Sequence, residues 1–180
     1  MDLAFPSGFA GGIAHRLDRS TSGALVVADN PEELARVRRA FVEKSLRKTY
    51  RLRAARSVPW DTHHCEAEIG HDRRRKKRMI VRRGAATPHR GKWLSARTDF
   101  RRLFGDVFEA EMRSGVMHQI RAHAAFLGIP LLGDRLYGGG TTPSDAPEGV
   151  TFFLHHVGLS GPGIRTERIP LPRWASEPEG

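Results

Sequence analysis

A charged turn near the start of the chain carries residue types and a spacing that could do chemistry. His15, Arg16 and Arg19 flank a single carboxylate, Asp18, and an apolar run of strand length follows at 25–28. Because nearby cations favour the ionised form of a carboxyl group, Asp18 is suited to act as a nucleophile, a base or a counter-ion. The ordinary alternative is a solvated cluster of salt bridges ahead of a buried strand.

Two later segments extend this pattern. Residues 115–123 have the sequence Gly-Val-Met-His-Gln-Ile-Arg-Ala-His, and residues 128–138 have the sequence Gly-Ile-Pro-Leu-Leu-Gly-Asp-Arg-Leu-Tyr-Gly. Together with the first segment they resemble the pseudouridine synthases of the RluA type, whose motifs are H-R-L-D-x-x-T-S-G, H-Q-I-R-x-H and G-x-P-I-x-G-D-x-x-Y-G. The resemblance covers nearly the whole chain, from about residue 11 to about residue 172.

The resemblance implies an isomerase that converts specific uridines in ribosomal or transfer RNA to pseudouridine. It implies that Asp18 is the catalytic carboxylate, without choosing among attack on the sugar, attack on the base and removal of a sugar proton. Tyr50, in the Lys-x-Tyr step at 48–50, is then expected to stack on the uracil and move a proton; a strand aromatic in the core is the alternative. Arg121 is expected to form a bidentate pair with Asp18 that keeps it ionised and aimed.

Further RNA contacts are expected from the first two motifs. The target base must leave its stack before it can react, and Arg16 is expected to fill the vacated space because a guanidinium is planar and stacks well. The other RNA contacts implied by these motifs are His15, Arg19, Thr21, His118 and Gln119.

The densest charge run in the chain follows Asp72. Six consecutive cations repel one another, so we expect an exposed loop that contacts phosphates without reading the sequence of the RNA. A solubilising loop with no partner is the alternative. The run consists of Arg73, Arg74, Arg75, Lys76, Lys77 and Arg78.

Composition favours a nucleic-acid partner, because a formal charge of +10 and a pI of about 10.9 attract polyanions. The single cysteine, Cys65, excludes an intrachain disulfide and fits a reducing compartment. The run His63-His64-Cys65 lacks the ligand spacing of a tetrahedral metal site, so we expect no metal and no organic cofactor. The chain shows neither a leader-like start nor a long apolar span, and we expect a cytoplasmic protein with no membrane partner. We also expect a monomer.

The apolar pattern predicts an α+β fold: a mostly antiparallel mixed sheet with flanking helices and loops. The segment 29–33 predicts a helix start, with a capping residue before Pro31. A second helix is predicted at 118–127, closed by Gly128 and Pro130. The predicted strands are 25–28, a strand from residue 48, 67–69, 93–100, 107–112 and 151–159.

Two features depart from the resembled family. Little sequence precedes the first motif, so we predict one catalytic domain over residues 1–180 that lacks the usual N-terminal portion. Val116 and Met117 stand where the family has an arginine and a hydroxyl residue, so one RNA contact is lost or comes from the basic run. A catalytically silent RNA-binding protein is the competing hypothesis, although a carboxylate in a positive cleft argues against it. An enzyme acting on metals or phosphates is disfavoured, because the sequence has no P-loop, carboxylate cluster or ligand quartet.

Overall fold

Ten strands and two α-helices make up the part of the chain that the computed structural model describes, residues 9–144, 146–166 and 169–177. The helices are α1 (Pro31–Val42) and α2 (Gln119–Phe126), and 3-10 turns lie at Ala10–Gly12 and Arg173–Ala175. The strands are β1 (Ser22–Gly23), β2 (Arg47–Arg53), β3 (Thr62–Glu66), β4 (Ile69–Asp72), β5 (Met79–Val81), β6 (His89–Leu94), β7 (Arg97–Phe104), β8 (Val107–Met112), β9 (Leu154–Gly161) and β10 (Ile164–Arg165).

The strands form two sheets. The main sheet has seven strands in the order β1-β9-β2-β8-β7-β3, with β10 paired to β9. The small sheet has three strands in the order β5-β4-β6. Among the paired strands of the described residues, β1 runs parallel to β9 and the other pairs are antiparallel. The predicted α+β fold with a mostly antiparallel sheet is therefore confirmed.

The alternation of side chains in β2 sets the two faces of the main sheet. Lys48, Tyr50 and Leu52 point to the buried face, and the residues between them are partly exposed. This period of two is the geometry of a pleated strand with one covered face. The buried face packs against α2, whose Ile120 and Ala124 share one apolar cluster with Tyr50 and Leu52.

Both helices begin close to where the sequence predicts, and α2 also ends close to its predicted end. Asn30 caps α1, because its side-chain oxygen accepts a hydrogen bond of 2.9 Å from the N–H of Glu33, and Pro31 occupies the first turn. Helix α2 begins at Gln119, one residue later than predicted. Gly128 follows α2 with a positive φ of 86°, the backbone conformation that commonly ends a helix.

The predicted buried strand at 25–28 is wrong. The paired residues are Ser22 and Gly23, while Leu25 and Val27 are 45% and 55% exposed and only an isolated bridge joins Val27 to Ile13. The physical reason is the approach of Gly23 to β9: an added Cβ would lie 2.1 Å from the carbonyl oxygen of His156. The pairing therefore occurs where the backbones can meet, ahead of the apolar run.

Other strand boundaries also shift. Of the predicted strand at 67–69, residues 67 and 68 lie between β3 and β4, and Ile69 begins β4. The predicted strand at 93–100 is interrupted at residues 95–96, between β6 and β7. The last long strand begins at Leu154 and not at residue 151. Within the described residues, no helix combines the length and the apolar character needed to cross a membrane.

Candidate active site

The segment that carries Asp18 is an irregular loop that returns on itself. The N–H of Ala14 donates to the carbonyl of Val26, and the N–H of Val26 donates to Nε2 of His15 at 3.1 Å. At the tip, the N–H of Thr21 donates to the carbonyl of Asp18 at 2.9 Å. Asp18 is partly buried there.

The other residues predicted in this segment have different exposures. Arg16 and Arg19 are exposed, as a contact to RNA requires. His15 is partly buried, and its ring nitrogen already accepts a backbone hydrogen bond, so it holds the loop together. The hydroxyl of Thr21 is buried and has no hydrogen-bond partner among the described residues.

Tyr50 lies on β2 beside this loop. Burial raises the pKa of its hydroxyl well above the usual range, and the negative charge of Asp18 raises it further. The structure therefore brings Asp18 and Tyr50 within electrostatic reach of each other and keeps the phenol protonated. The Tyr50 ring stacks on that of His156, with 4.5 Å between the ring centroids.

Arg121 does not form the expected bidentate pair with Asp18. Its Nε and Nη2 atoms donate to the two carboxylate oxygens of Asp134 at 2.6 and 2.9 Å. The physical reason is burial: Asp134 is 2% exposed, and a carboxylate removed from water must have a charged partner. Burial opposes the charge of Arg121, but the hydrogen bonds and charge of Asp134 raise its pKa, and the charge of Asp18 adds to this.

His118 precedes α2 in a left-handed backbone conformation, with φ of 53°. Its Nδ1 lies 3.1 Å from the hydroxyl of Tyr137, and that hydroxyl also accepts the N–H of Met79 at 2.9 Å. We infer that the hydroxyl of Tyr137 donates its hydrogen bond to Nδ1 of His118. In the neutral ring the proton is then carried by Nε2. Burial lowers the pKa of His118, and the charge of Arg121 lowers it further, against the opposing charge of Asp18.

Gln119 differs from the expectation of an RNA contact. It is 2% exposed, and its amide is fully used inside the protein. Its oxygen accepts from Ser114 and from the N–H of Val116, and its nitrogen donates to the carbonyl of Arg97 and to Thr98. Gln119 therefore fastens the start of α2 to β7 and has no group left for a ligand.

The basic run forms the turn between β4 and β5. Residues 73–77 are exposed, as predicted for a phosphate-contacting loop. Arg78 is the exception, because its side chain turns inward to Asp72 at 3.2 Å and lies over the ring of Tyr137. Asp72 also accepts the backbone N–H groups of Arg74 and Arg75, so one buried carboxylate shapes the loop.

Several residues of the site were not predicted from the sequence. Asp134 and Tyr137 belong to the third motif, and their D-x-x-Y spacing could have drawn attention to them. His156 is fully buried beside Tyr50, and burial lowers its pKa to about 4. Lys48 donates to the carbonyl of Ser114, and burial lowers its pKa to about 8. No local signal marks His156, since its partners lie far away in the sequence.

The run His63-His64-Cys65, where the sequence predicts no metal site, lies on β3. His64 pairs with Asp99 at 2.7 Å on the exposed face, while Cys65 points into the core on β3. Neighbouring residues of a strand face opposite sides, so these side chains diverge. Among the described residues, no cluster of three or more His, Cys, Asp or Glu side chains could hold a metal ion.

Comparison with known proteins identifies the family. The sequence model described as RNA pseudouridylate synthase matches residues 5–126. The chain belongs to this family. A chloroplastic RNA pseudouridine synthase 2 of Oryza sativa subsp. japonica is 37% identical over 133 residues, which cover 71% of this chain and 29% of the rice protein. The ribosomal large subunit pseudouridine synthase D of Borreliella burgdorferi is 33% identical over 152 residues, covering 82% of this chain and 44% of that protein.

Solved structures show the same relationship. The human RNA pseudouridylate synthase domain containing 1 protein superposes with a TM-score of 0.73 at 26% identity, covering 89% of this chain and 68% of that chain. The resemblance to the RluA type stated from the three motifs is thereby confirmed. The chain spans less than half the length of the two curated pseudouridine synthases above.

Proposed function

We propose that this protein converts uridine within RNA to pseudouridine, with Asp18 as the catalytic carboxylate. The observation that carries the proposal is the placement of Asp18 on a partly buried loop, where its charge acts on Tyr50, His118 and Arg121. Tyr50 and the pair His118 and Arg121 come from two segments that are far from Asp18 in the sequence. A purely RNA-binding surface has no need to bring a carboxylate, a protonated phenol and a fixed guanidinium together.

The reaction rearranges one nucleoside without gain or loss of atoms. The bond from N1 of uracil to C1′ of the ribose breaks, the base turns, and a bond forms from C5 to C1′. The C5 proton leaves and N1 gains a proton, so no oxidant, reductant or group donor is consumed. The family membership shown above supports this reaction class.

Each task of the reaction has a candidate residue in this chain. Arg16 is exposed beside Asp18 and is proposed to occupy the place of the extruded base, since duplex or stacked bases cannot be reached otherwise. Asp18 is proposed to attack the sugar, attack the base or remove a sugar proton. Arg121 supplies a fixed positive charge to the site and does not bond to Asp18, because the guanidinium is bonded to Asp134.

Tyr50 is proposed to contact the uracil and to take part in removal of the C5 proton. Its raised pKa keeps the hydroxyl protonated at neutral pH. It can therefore move a proton only as a relay, donating its own proton as it accepts another. A phenylalanine at this position keeps the ring but not the relay.

Ribosomal or transfer RNA is the proposed substrate, with residues 73–77 contacting phosphates. The printed name of the Borreliella burgdorferi relative refers to the ribosomal large subunit, which supports ribosomal RNA as the first RNA to examine. The cytoplasmic location and the monomeric state stay predictions from the sequence.

The test is a map of pseudouridine positions in total RNA taken from cells that lack the endogenous enzyme and then incubated with purified protein. We expect the wild-type protein to modify at least one uridine and Asp18→Asn to modify none, because Asn keeps the size but cannot be an anion. Asp29→Asn, an exposed carboxylate outside the loop, serves as the matched control and should act as wild type. RNA binding without modification by the wild-type protein would instead support the silent RNA-binding alternative.

A further inference from the structure

Almost all of the net charge of the chain lies on the small sheet. Residues 69–94 contain ten of the 30 Lys and Arg residues and one of the 20 Asp and Glu residues, a net charge of +9 out of +10. The one carboxylate, Asp72, is 4% exposed and bonded to Arg78. The small sheet therefore presents an almost uncompensated positive surface, which favours a polyanionic partner.

Two aromatic rings stack on one another within this positive surface. The rings of His89 and Trp93 lie 4.1 Å apart between centroids, with an angle of 27° between their planes. The stacking depends on an irregular register, because Ile69 pairs with Leu94 while Asp72 pairs with His89. Six residues of β6 thus lie opposite four residues of β4, and the extra length brings the two rings together.

The ring pair lies on the side of the small sheet that faces away from the core. Ile69, Met79 and Val81 are buried in the opposite face. Gly70 leaves room for the rings: an added Cβ there would lie 2.9 Å from Cε3 of Trp93. Both rings are only partly buried, so the stack sits on the sheet face and remains open to solvent.

One cation lies against the ring pair, and two more are exposed on the same strand. The guanidinium of Arg82 lies 5.8 Å from the centroid of the Trp93 ring and is held there by an ion pair with Glu68. Arg90 and Lys92 are exposed on the same strand as the two rings. Aromatic rings combined with flanking cations form the usual surface for unpaired nucleotides, since the rings stack on bases and the cations bind phosphates.

We propose that an unpaired stretch of the RNA substrate binds here, with one nucleobase stacked on the His89–Trp93 pair and adjacent phosphates bound by exposed cations of the small sheet. The proposal rests on the proposed function, because it takes RNA as the substrate, and it deepens that function by specifying a single-stranded segment. A duplex hides the faces of its bases and offers this surface only phosphates. The rings therefore favour single-stranded over double-stranded RNA.

The test compares a 12-nucleotide oligoadenylate with a 12-base-pair RNA duplex in a binding titration by fluorescence anisotropy. We expect Trp93→Ala to weaken binding of the single strand by roughly 5- to 100-fold, the loss typical of one stacked base, and to change duplex binding less than about twofold. Trp93→Phe keeps an aromatic ring and should lose less than Trp93→Ala. Thermal melting of each variant checks that it is folded.

Trp60→Ala is the matched control, because Trp60 also contacts a histidine ring, that of His63, but lies outside the small sheet. We expect it to bind both RNAs as the wild type does. A second measurement reads the stacking directly: a Trp60→Phe/Trp174→Phe protein retains Trp93 as its one tryptophan, whose fluorescence should be quenched by the single strand.

The outcomes separate this proposal from the proposed function. If the wild type binds neither RNA, the choice of RNA as partner fails and both proposals fall. If Trp93→Ala binds the single strand as tightly as wild type, or loses affinity equally for both RNAs, the stacking proposal is overturned while pseudouridine formation can still be observed. If the proposal holds, Trp93→Ala raises the KM for RNA and leaves kcat at saturating RNA unchanged.

Discussion

At the scale of single residues, the side chain of Arg121 is held on three sides. Asp134 binds it through two hydrogen bonds, and the rings of Tyr137 and Phe152 lie 4.9 and 4.4 Å from its guanidinium carbon. An arginine fixed in this way cannot move to Asp18 without leaving a buried carboxylate unpaired. Arg121 therefore influences Asp18 through its charge and acts as a fixed part of the site.

The hydroxyl of Tyr137 is predicted to control the protonation of His118. Burial already lowers the pKa of His118, and a hydrogen bond donated by the Tyr137 hydroxyl to Nδ1 is expected to favour the neutral ring as well. Tyr137→Phe removes this bond and should raise the pKa of His118, which then becomes protonated at a higher pH. Titration of the histidine ring signals by NMR measures the shift.

The same titration contains its own control. His123 bonds to Thr98 and to the carbonyl of Ala67, away from Tyr137, and burial lowers its pKa. Its pKa should not change in Tyr137→Phe. An unchanged or lowered pKa of His118 in Tyr137→Phe would contradict a hydrogen bond donated by the Tyr137 hydroxyl to Nδ1 of His118.

At the scale of elements, the loop that carries Asp18 is anchored by the short pairing of β1 with β9. Gly23 is the point of closest approach, with φ of 115° and the backbone of His156 directly against it. A side chain at this position meets backbone atoms, which cannot rotate away as a flexible side chain can. The position of Asp18 therefore depends on a glycine five residues further along the chain.

Gly23→Ala is predicted to displace the Asp18 loop. A displacement of about 1 Å at a reacting group can lower the rate about 100-fold, so we expect a fall in kcat of that order with RNA affinity retained. Gly84→Ala is the matched control, because an added Cβ there meets no atom within 4 Å. Steady-state kinetics on an RNA with a mapped site measure kcat for both variants. Equal kcat values for Gly23→Ala and Gly84→Ala would contradict this prediction.

The elements also show what a sequence can and cannot specify. Helix α1 was predictable because its cap and first turn are local signals, and the three motifs led to the family. The strand expected at 25–28 was wrong because its pairing depends on contact with β9, some 130 residues away. The partner of Arg121 was also missed: the sequence analysis expected Asp18, whereas the fold brings Arg121 of α2 against the buried Asp134.

At the scale of the whole molecule, charge is separated between two surfaces. The small sheet and its 73–77 turn are positive, whereas cations on the exposed face of the main sheet are paired with acids. Arg53 lies 2.9 Å from Asp106, and Arg101 lies 2.7 Å from Glu109. This distribution predicts that RNA binds to one side of the protein.

Replacement of Arg74, Arg75 and Lys76 together by serine tests this distribution. Each lost phosphate contact lowers the dependence of log K on log salt concentration by about 0.7 to 0.9, so we expect the slope to fall by about 2. Binding titrations of RNA between low and moderate salt measure the slope.

A triple variant on the exposed face of the main sheet is the control. Arg47, Arg53 and Arg101 are each paired with an acid on the exposed face of the main sheet, so their replacement by serine should change the slope by less than about 1. Equal slopes for the two triple variants would show that RNA does not select the positive side.

The most direct test of the central claim is release of a tritium label from C5 of uridine in an RNA that carries the mapped site. Formation of the bond from C5 to C1′ expels the C5 hydrogen, so each turnover releases one label to water. We predict release by the wild type and by Asp29→Asn, and release slower by at least about 100-fold in Asp18→Asn with RNA binding unchanged. Release by Asp18→Asn at a rate close to that of the wild type would contradict the assignment of Asp18 as the catalytic carboxylate.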